Sequence, residues 1–374
     1  MLKIGITGQT GFIGKHLFNT IGLFPAEFER VGFEKSFFEH NDALDNFIKQ
    51  CDIIVHLAAM NRHPDPEHIY QVNTSLVKKL TDSLVRTGSH AHVIFSSSTQ
   101  EEKDNHYGQS KLAGRQMLAE WAKKHGGKFT GMVIPNVFGP FGLPFYNSVI
   151  ATFCHQLTHE ETPVIAVDGE LNLIYIDELA NAILDSIRSG EAGDQMNVPA
   201  TSRIRVSALL LLLEQYKTLY LQKGIIPPTN NSFERNLFNT FRSFIDNKNY
   251  FPVKLTKHTD PRGAFVEIIR LGNGGQVSFS TTLPGVTRGN HFHTRKIERF
   301  AVIRGNALIQ LRQVGTSEVL EFYLSGDAPA YVDMPVWYTH NIKNVGEGEL
   351  YTIFWINEFF DPADPDTYVE PVHL

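Results

Sequence analysis

Cysteine is nearly absent: Cys51 and Cys154 are the two thiols in 374 residues. Two thiols cannot form the framework that staples small secreted domains, so a reducing compartment fits. Neither lies in a thiolate-activating motif, and both read as packing residues. No run approaches the roughly twenty apolar residues that a membrane-spanning helix needs. The chain enters a strand pattern at Leu2 with no basic segment and apolar stretch ahead of it. No leader is therefore expected, and the expected location is the cytoplasm. Positive charge is not in excess either: 34 Lys and Arg stand against 40 Asp and Glu, for a net charge of −6. That balance disfavours broad binding to nucleic acid or an anionic membrane, and neither is expected as a partner. The two halves share no visible repeat.

What is present is an ordinary globular composition, 42% hydrophobic and 20% charged, at a length natural for two domains. Up to about residue 245, buried-strand patterns such as Cys51–Ala59, Val93–Ser96 and Thr130–Ile134 alternate with helical stretches such as Val72–Arg86 and Lys111–Lys124. That alternation predicts a doubly wound parallel sheet with right-handed crossovers. The pattern breaks at Pro227-Pro228 and Asn230-Asn231, and the junction is placed near Asn247–Pro252. Short strands with glycine turns follow, predicting an all-β barrel. The expected domains are 1–247 and 248–374.

Leu2–Thr7 reads as a buried strand, Gly8-Gln-Thr-Gly11-Phe-Ile-Gly14 as a turn, and the residues after it as a helix start. Glycines there let the backbone approach a pyrophosphate, which the helix amides then hold. Tyr107 and Lys111 stand four residues apart, on one face of a helix start. A lysine near the ring is expected to lower the tyrosine pKa and make Tyr107 a proton-exchanging group. Ser96-Ser-Ser98-Thr99 ends the preceding strand, where open α/β sheets bind ligands.

These features together resemble the extended short-chain dehydrogenase/reductase family. The resemblance implies Ser98 (or Thr99), Tyr107 and Lys111 as the catalytic trio. It implies cofactor contacts at Gly8, Gly11, Phe12, Ile13 and Gly14, with Leu57, Ala58 and Ala59 at a strand end and Tyr107 and Lys111 joining them. Asn73 resembles the asparagine that this family has before its fourth helix. Asn136, in Pro135–Pro140, and Asn147 are implied substrate contacts. NADPH is the implied cofactor; the second strand, around Phe28–Phe33, carries Arg30, Glu34 and Lys35 nearby.

In the second half, Gly285 precedes His291 and His293, Glu298 follows, and Gly305 closes the segment. Further on, Pro335-Val-Trp-Tyr-Thr-His340 ends four residues before Asn344. Histidines at i and i+2 share a strand face. Three imidazoles and one carboxylate can close a shell around a divalent metal, with zinc the first choice and iron, manganese and nickel also compatible. The spacing is similar to the cupin signature, except that Trp337 stands where that pattern has glycine. Asp260-Pro-Arg262-Gly and Gly285-Val-Thr-Arg288-Gly-Asn-His291 resemble cupin-type 4-keto-6-deoxysugar-nucleotide epimerases, which implies Arg262 and Arg288 as pyrophosphate clamps. The epimerase resemblance makes His291 a base and the cupin resemblance makes it a ligand. With its three companions present the ligand role is preferred, leaving Tyr338, His258 and Lys257 as candidate bases. The metal role, Lewis acid or structural, is open.

The combination resembles the bifunctional capsular-polysaccharide enzymes that form UDP-2-acetamido-2,6-dideoxy-β-L-talose. His56-Leu-Ala-Ala-Met-Asn-Arg62, Tyr146–Phe153 and Asp361-Pro-Ala-Asp-Pro-Asp-Thr-Tyr368 also carry that resemblance. It implies C3 epimerisation of a UDP-linked 4-keto-6-deoxy amino sugar by the cupin, then C4 reduction with NADPH. The alternative is a reductase alone, with the cupin serving dimerisation or sensing. A homodimer is the expected assembly.

Overall fold

The computed structural model describes every residue except Arg262 and Asn273. The chain forms two compact units: Met1–Thr152 with Ala166–Val206, and Phe153–Ile165 with Ser207–Leu374. Among the described residues no helix is long and apolar enough to cross a membrane.

The first unit is a Rossmann-type sheet. Its strands are β1 (Leu2–Thr7), β2 (Phe28–Val31), β3 (Ile53–His56), β4 (His92–Ser98), β5 (Lys128–Ile134) and β6 (Gly193–Asn197), and they lie in the order β2-β1-β3-β4-β5-β6. Every pairing is parallel. The inner strands are buried on both faces: all four residues of β3 are, as are Ile4 and Ile6 of β1. Such strands must read as near-continuous apolar runs. Helices α1 (Phe12–Ile21), α2 (Asn41–Lys49), α3 (Pro66–Thr87), α4 (His106–His125) and α5 (Ile176–Ser189) supply the covering layers. Leu17 and Ile21 of α1 cluster with Ile183, Leu184 and Ile187 of α5. Phe47, Val77, Leu80, Leu84, Leu118 and Trp121 form the opposite layer. Truncating one of these to alanine costs about 2–5 kcal/mol. Helix α3 shows why the boundaries fall where they do. The Asp65 carboxylate accepts the Glu67 N–H, Pro66 opens the helix, and Gly88 closes it with φ +60°.

The second unit is an antiparallel cupin barrel of two five-stranded sheets. Its strands are β7 (Val253–Lys254), β8 (Gln276–Thr282), β9 (Thr287–Phe292), β10 (Glu298–Arg304), β11 (Asn306–Gln313), β12 (Val319–Ser325), β13 (Ala330–Met334), β14 (Tyr338–Asn344), β15 (Leu350–Ile356) and β16 (Tyr368–Val369). One sheet runs β7-β13-β10-β15-β8 and the other β12-β11-β14-β9-β16. Ala301, Val302, Ile309, Leu311, Val332 and Ile342 pack between them. The helical segment before the barrel packs within this unit. Tyr220 donates to the buried Asp333 carboxylate at 2.5 Å, and Arg242 donates to the Met334 carbonyl at 3.1 Å. Asp333 also takes two bonds from buried Arg299, at 2.7 and 2.9 Å.

Candidate functional site

A cavity of about 510 Å³ opens at the carboxyl ends of β1, β3, β4 and β5. The turn between β1 and α1 forms one wall. Gly8 has φ +76°, and a Cβ there would stand 2.9 Å from the Ala58 backbone. A Cβ on Gly14 would meet the Gly8 carbonyl oxygen at 2.2 Å. Glycine alone lets the helix start this close to the strand. Gly11, Phe12, Ile13 and Gly14 line the cavity, so the positive end of α1 points at it, the arrangement that holds a phosphate. Leu57 and Ala59 line it too, whereas the Ala58 backbone lies behind Gly8. Asn73 holds this strand end in place: its amide oxygen accepts the Met60 N–H at 2.6 Å, and its NH₂ donates to the Met60 carbonyl and Ser110 hydroxyl, each at 2.9 Å.

Ser98, Tyr107, Lys111, Asn136 and Asn147 share the cavity wall. The Asn105 side chain caps α4 by accepting the Gly108 N–H at 2.8 Å, which sets Tyr107 in the first helical turn. The Ser98 hydroxyl oxygen accepts the Gln100 N–H at 3.2 Å. Lys111 donates to the Ser96 carbonyl at 2.8 Å, and its ammonium sits 5.8 Å from the centre of the Tyr107 ring. Here the expectation about tyrosine acidity is corrected. Burial, helped by Tyr146, pushes the Tyr107 phenol up to about 12. Burial also pushes Lys111 down to about 8, with Glu101 opposing. The lysine ammonium donates to a carbonyl, and burial dominates at the phenol.

In the second unit, His291, His293, Glu298 and His340 offer ligand atoms all within 4.8 Å of one another. His291 and His293 stand at the end of β9, His340 on the paired β14, and Glu298 at the start of β10 in the facing sheet. His293 Nδ1 lies 2.5 Å from the Asp366 carbonyl and His340 Nδ1 lies 3.2 Å from the Tyr338 carbonyl. A carbonyl only accepts, so both Nδ1 atoms carry hydrogens and both Nε2 atoms present lone pairs. Those lone pairs meet Glu298 Oε2 at 3.2 and 3.1 Å, and none of the three buried atoms forms a hydrogen bond in this tautomer. Acceptors facing acceptors in a dry pocket need positive charge among them, as a proton on an imidazole or as a metal ion. A divalent metal fits that requirement, and the donor set suits zinc.

Trp337, the departure from the cupin pattern, has φ +61°, the left-handed conformation in which glycine is favoured. Its ring stacks on Phe292 at 5.4 Å, and its backbone N–H donates to the His293 carbonyl at 2.8 Å. Arg288 pairs in register with Ile342, on the face that carries His340, and is exposed. Arg262 lies outside the described residues. Of the candidate bases, Tyr338 is half-buried two positions from His340, and Lys257 and His258 are exposed on a hairpin strand.

The chain matches the model of the NAD dependent epimerase/dehydratase family over residues 4–198 and that of the polysaccharide biosynthesis C-terminal domain over 258–368. It is 32% identical over 372 residues to the UDP-2-acetamido-2,6-beta-L-arabino-hexul-4-ose reductase of Pseudomonas aeruginosa, covering 98% of each chain. The chain belongs to this reductase family. Among solved structures, the capsular polysaccharide assembling protein CapF from Staphylococcus aureus aligns with a TM-score of 0.63 at 34% identity, covering 99% of this chain and 100% of that one. The spore coat polysaccharide biosynthesis protein SpsL of Bacillus subtilis is 30% identical over 125 residues, 30% of this chain and 82% of that one.

Three residues of this reductase-family chain were given no role by the sequence reading. Tyr146 lines the cavity, and its hydroxyl accepts the Asn61 N–H at 3.3 Å. Gly108 lets the turn Thr99–Glu102 lie against α4. Glu101 anchors that turn by a paired bond to Arg115, as close as 2.7 Å, and accepts the Ser97 hydroxyl. The signals were a tyrosine beside Asn147 and a glycine directly after Tyr107; nothing in the sequence marks Glu101.

Proposed function

We propose that this chain is a bifunctional sugar-nucleotide enzyme. Its barrel epimerises C3 of UDP-2-acetamido-2,6-dideoxy-L-arabino-4-hexulose. Its first unit then reduces C4 with NADPH to UDP-2-acetamido-2,6-dideoxy-β-L-talose, towards UDP-N-acetyl-L-fucosamine. The observation that carries this reading is the pairing, on one chain, of a Ser98–Tyr107–Lys111 cavity with a His₃Glu cluster, in a sequence related end to end to a UDP-hexulose reductase. The functional division is a reductase over 1–247 and a cupin over 248–374, with both acting in the cytoplasm.

The Gly8–Gly14 turn, with Leu57 and Ala59 beside it, would hold NADPH, which supplies a hydride when bound. Tyr107 is protonated at neutral pH, since burial holds it near 12, and so serves as the acid that protonates O4 as the hydride reaches C4. The Lys111 ammonium stabilises the phenolate left behind, and the Ser98 hydroxyl donates to the ketone oxygen and fixes its position. Asn136 and Asn147 are assigned to the sugar or the UDP. In the barrel, Arg288 and Arg262 are assigned to the pyrophosphate, for which a guanidinium offers paired bonds. A divalent cation, zinc by its ligands, would sit on His291, His293, Glu298 and His340 and supply a Lewis acid at the C4 oxygen or a structural tie.

Chemistry sets the order of the steps. The C3 hydrogen is acidic only while C4 is a ketone, because the carbanion is then an enolate. Reduction removes that acidity, so epimerisation comes first.

A second reading keeps the reductase and uses the barrel for dimerisation or sensing. It draws support from β8, a sheet edge whose Val277 and Phe279 are 58% and 71% exposed. An exposed apolar edge favours pairing with a second copy, and a homodimer through β8 fits both readings. NMR in D₂O, with NADPH withheld and then supplied, separates the two. Deuterium at C3 without NADPH, then a 6-deoxy-talose product with it, supports the bifunctional enzyme. NADPH oxidation with no C3 exchange leaves the reductase alone.

A further inference from the structure

The run Asp361-Pro-Ala-Asp-Pro-Asp-Thr-Tyr368 holds no ligand of the His₃Glu cluster, yet Asp366 is one of the most completely bonded carboxylates in the barrel. It is 3% exposed and has φ +40°, a conformation costly to any residue but glycine and least so to Asp or Asn. Its Oδ1 accepts from the Thr294 N–H at 3.1 Å and the Thr294 hydroxyl at 2.6 Å. Its Oδ2 accepts the N–H groups of Arg295 and Lys296, each at 3.0 Å. Three consecutive amides thus cradle one carboxylate, immediately after His293 in the chain. A neighbouring contact fastens the same segment: Lys296 donates to the Pro365 carbonyl at 2.6 Å, whereas Asp364, paired with Arg295 at 2.8 Å, is exposed.

The carboxylate does not touch the cluster. The backbone carbonyl of the same residue does, by accepting the His293 Nδ1 hydrogen. Seating the carboxylate in the amide cradle therefore places the carbonyl that sets the His293 tautomer and the aim of its Nε2. Partners of this kind around metal-bound histidines govern metal affinity.

We propose that Asp366 is the positioning residue of the metal centre: its side chain, anchored on residues 294–296, holds its own carbonyl against His293 and keeps Nε2 as a metal-facing lone pair. The assignment rests on the metal reading given above.

The test is a zinc titration of the full chain, stripped of metal and in competition with a chromophoric chelator. It compares wild type with Asp366→Asn, Asp366→Ala and Asp364→Ala. Asparagine keeps the shape and tolerates the backbone angle, but it turns an NH₂ donor towards backbone donors on one side of the cradle. Both Asp366 variants should bind Zn²⁺ about 10–100-fold more weakly. Asp364→Ala, which removes an exposed ion pair from the same segment, should bind like wild type. Because Asp366→Ala can unfold the barrel, Asp366→Asn carries the decision. With Co²⁺ as probe, its visible absorption bands should shift while its near-ultraviolet circular dichroism stays that of the wild type. A purely structural role would lower the melting temperature and leave the bands unmoved. Asp366→Asn binding Zn²⁺ within about twofold of wild type, with unchanged bands, overturns the inference and leaves the metal reading standing. A wild-type chain that takes up no zinc, cobalt, manganese, nickel or iron overturns both.

Discussion

Gly108→Ala tests whether the short connection between Ser98 and Tyr107 sets the reductase geometry. A Cβ at position 108 would lie 2.0 Å from the Gln100 carbonyl oxygen and 2.8 Å from its carbon. Carbon and carbonyl oxygen approach no closer than roughly 3.3 Å, so helix and turn must part by about 1 Å. The obstacle is backbone, which cannot swing aside as a side chain would. Alanine brings its better helix propensity, about 1 kcal/mol, against an overpacking cost of about 1–3 kcal/mol. The net stability loss is therefore small, and the melting temperature should fall only slightly. Catalysis should fall far more, because Tyr107 precedes the new methyl and Ser98 lies two residues before the displaced carbonyl. A misplacement near 1 Å costs on the order of 10²-fold in rate. Steady-state NADPH oxidation with the UDP-4-keto sugar should show that loss in kcat. A kcat within about threefold of wild type, in a variant that folds, would refute the reasoning.

Tyr107→Phe should lower NADPH oxidation by about 10²–10⁴-fold while C3 exchange in D₂O continues at the wild-type rate, which separates the two sites by NMR. Lys111 is lowered from 10.5 to about 8 by burial, so the folded state gives up its proton before the unfolded chain does. Stability must then rise as pH climbs from 8 towards 10.5, by up to about 3 kcal/mol from this group. Urea unfolding of Lys111→Met at pH 8 and pH 10 should lack that increment relative to wild type. Trp337→Gly relieves a left-handed backbone worth about 1–2 kcal/mol and removes a buried indole worth about 3–5 kcal/mol. The variant should lose stability despite matching the cupin pattern better, and an unchanged or raised melting temperature would contradict that balance.

Sequence reading reached the parts of this molecule that depend on short spacing. The Gly8–Gly14 turn and the Tyr107–Lys111 pair each lie within one turn or helix start, and His291 to Glu298 spans only a strand end and the next strand's start, so short spacing decides which side chains meet. The convergence of His340 on them was legible because Pro335 and Asn344 frame its strand, despite the departure at Trp337. Burial was not legible. The tyrosine–lysine pair suggests an acidic phenol until the depth of both groups is known, and the depth reverses the sign. Contacts between distant segments were equally hidden. Asp366 meets Thr294, Glu101 meets Arg115, and Tyr220 meets Asp333 through tertiary packing that no periodicity encodes.

Glu298 belongs to one sheet of the barrel, and His291 and His340 belong to the other. A single cation among them would make two separately hydrogen-bonded sheets into one cooperative unit. Backbone amides of Glu298–Arg304 and Tyr338–Asn344 would then open together rather than independently, and hydrogen exchange in both strands would slow by a common factor when metal is added. The barrel's resistance to local opening would become a titratable property, set by free metal concentration.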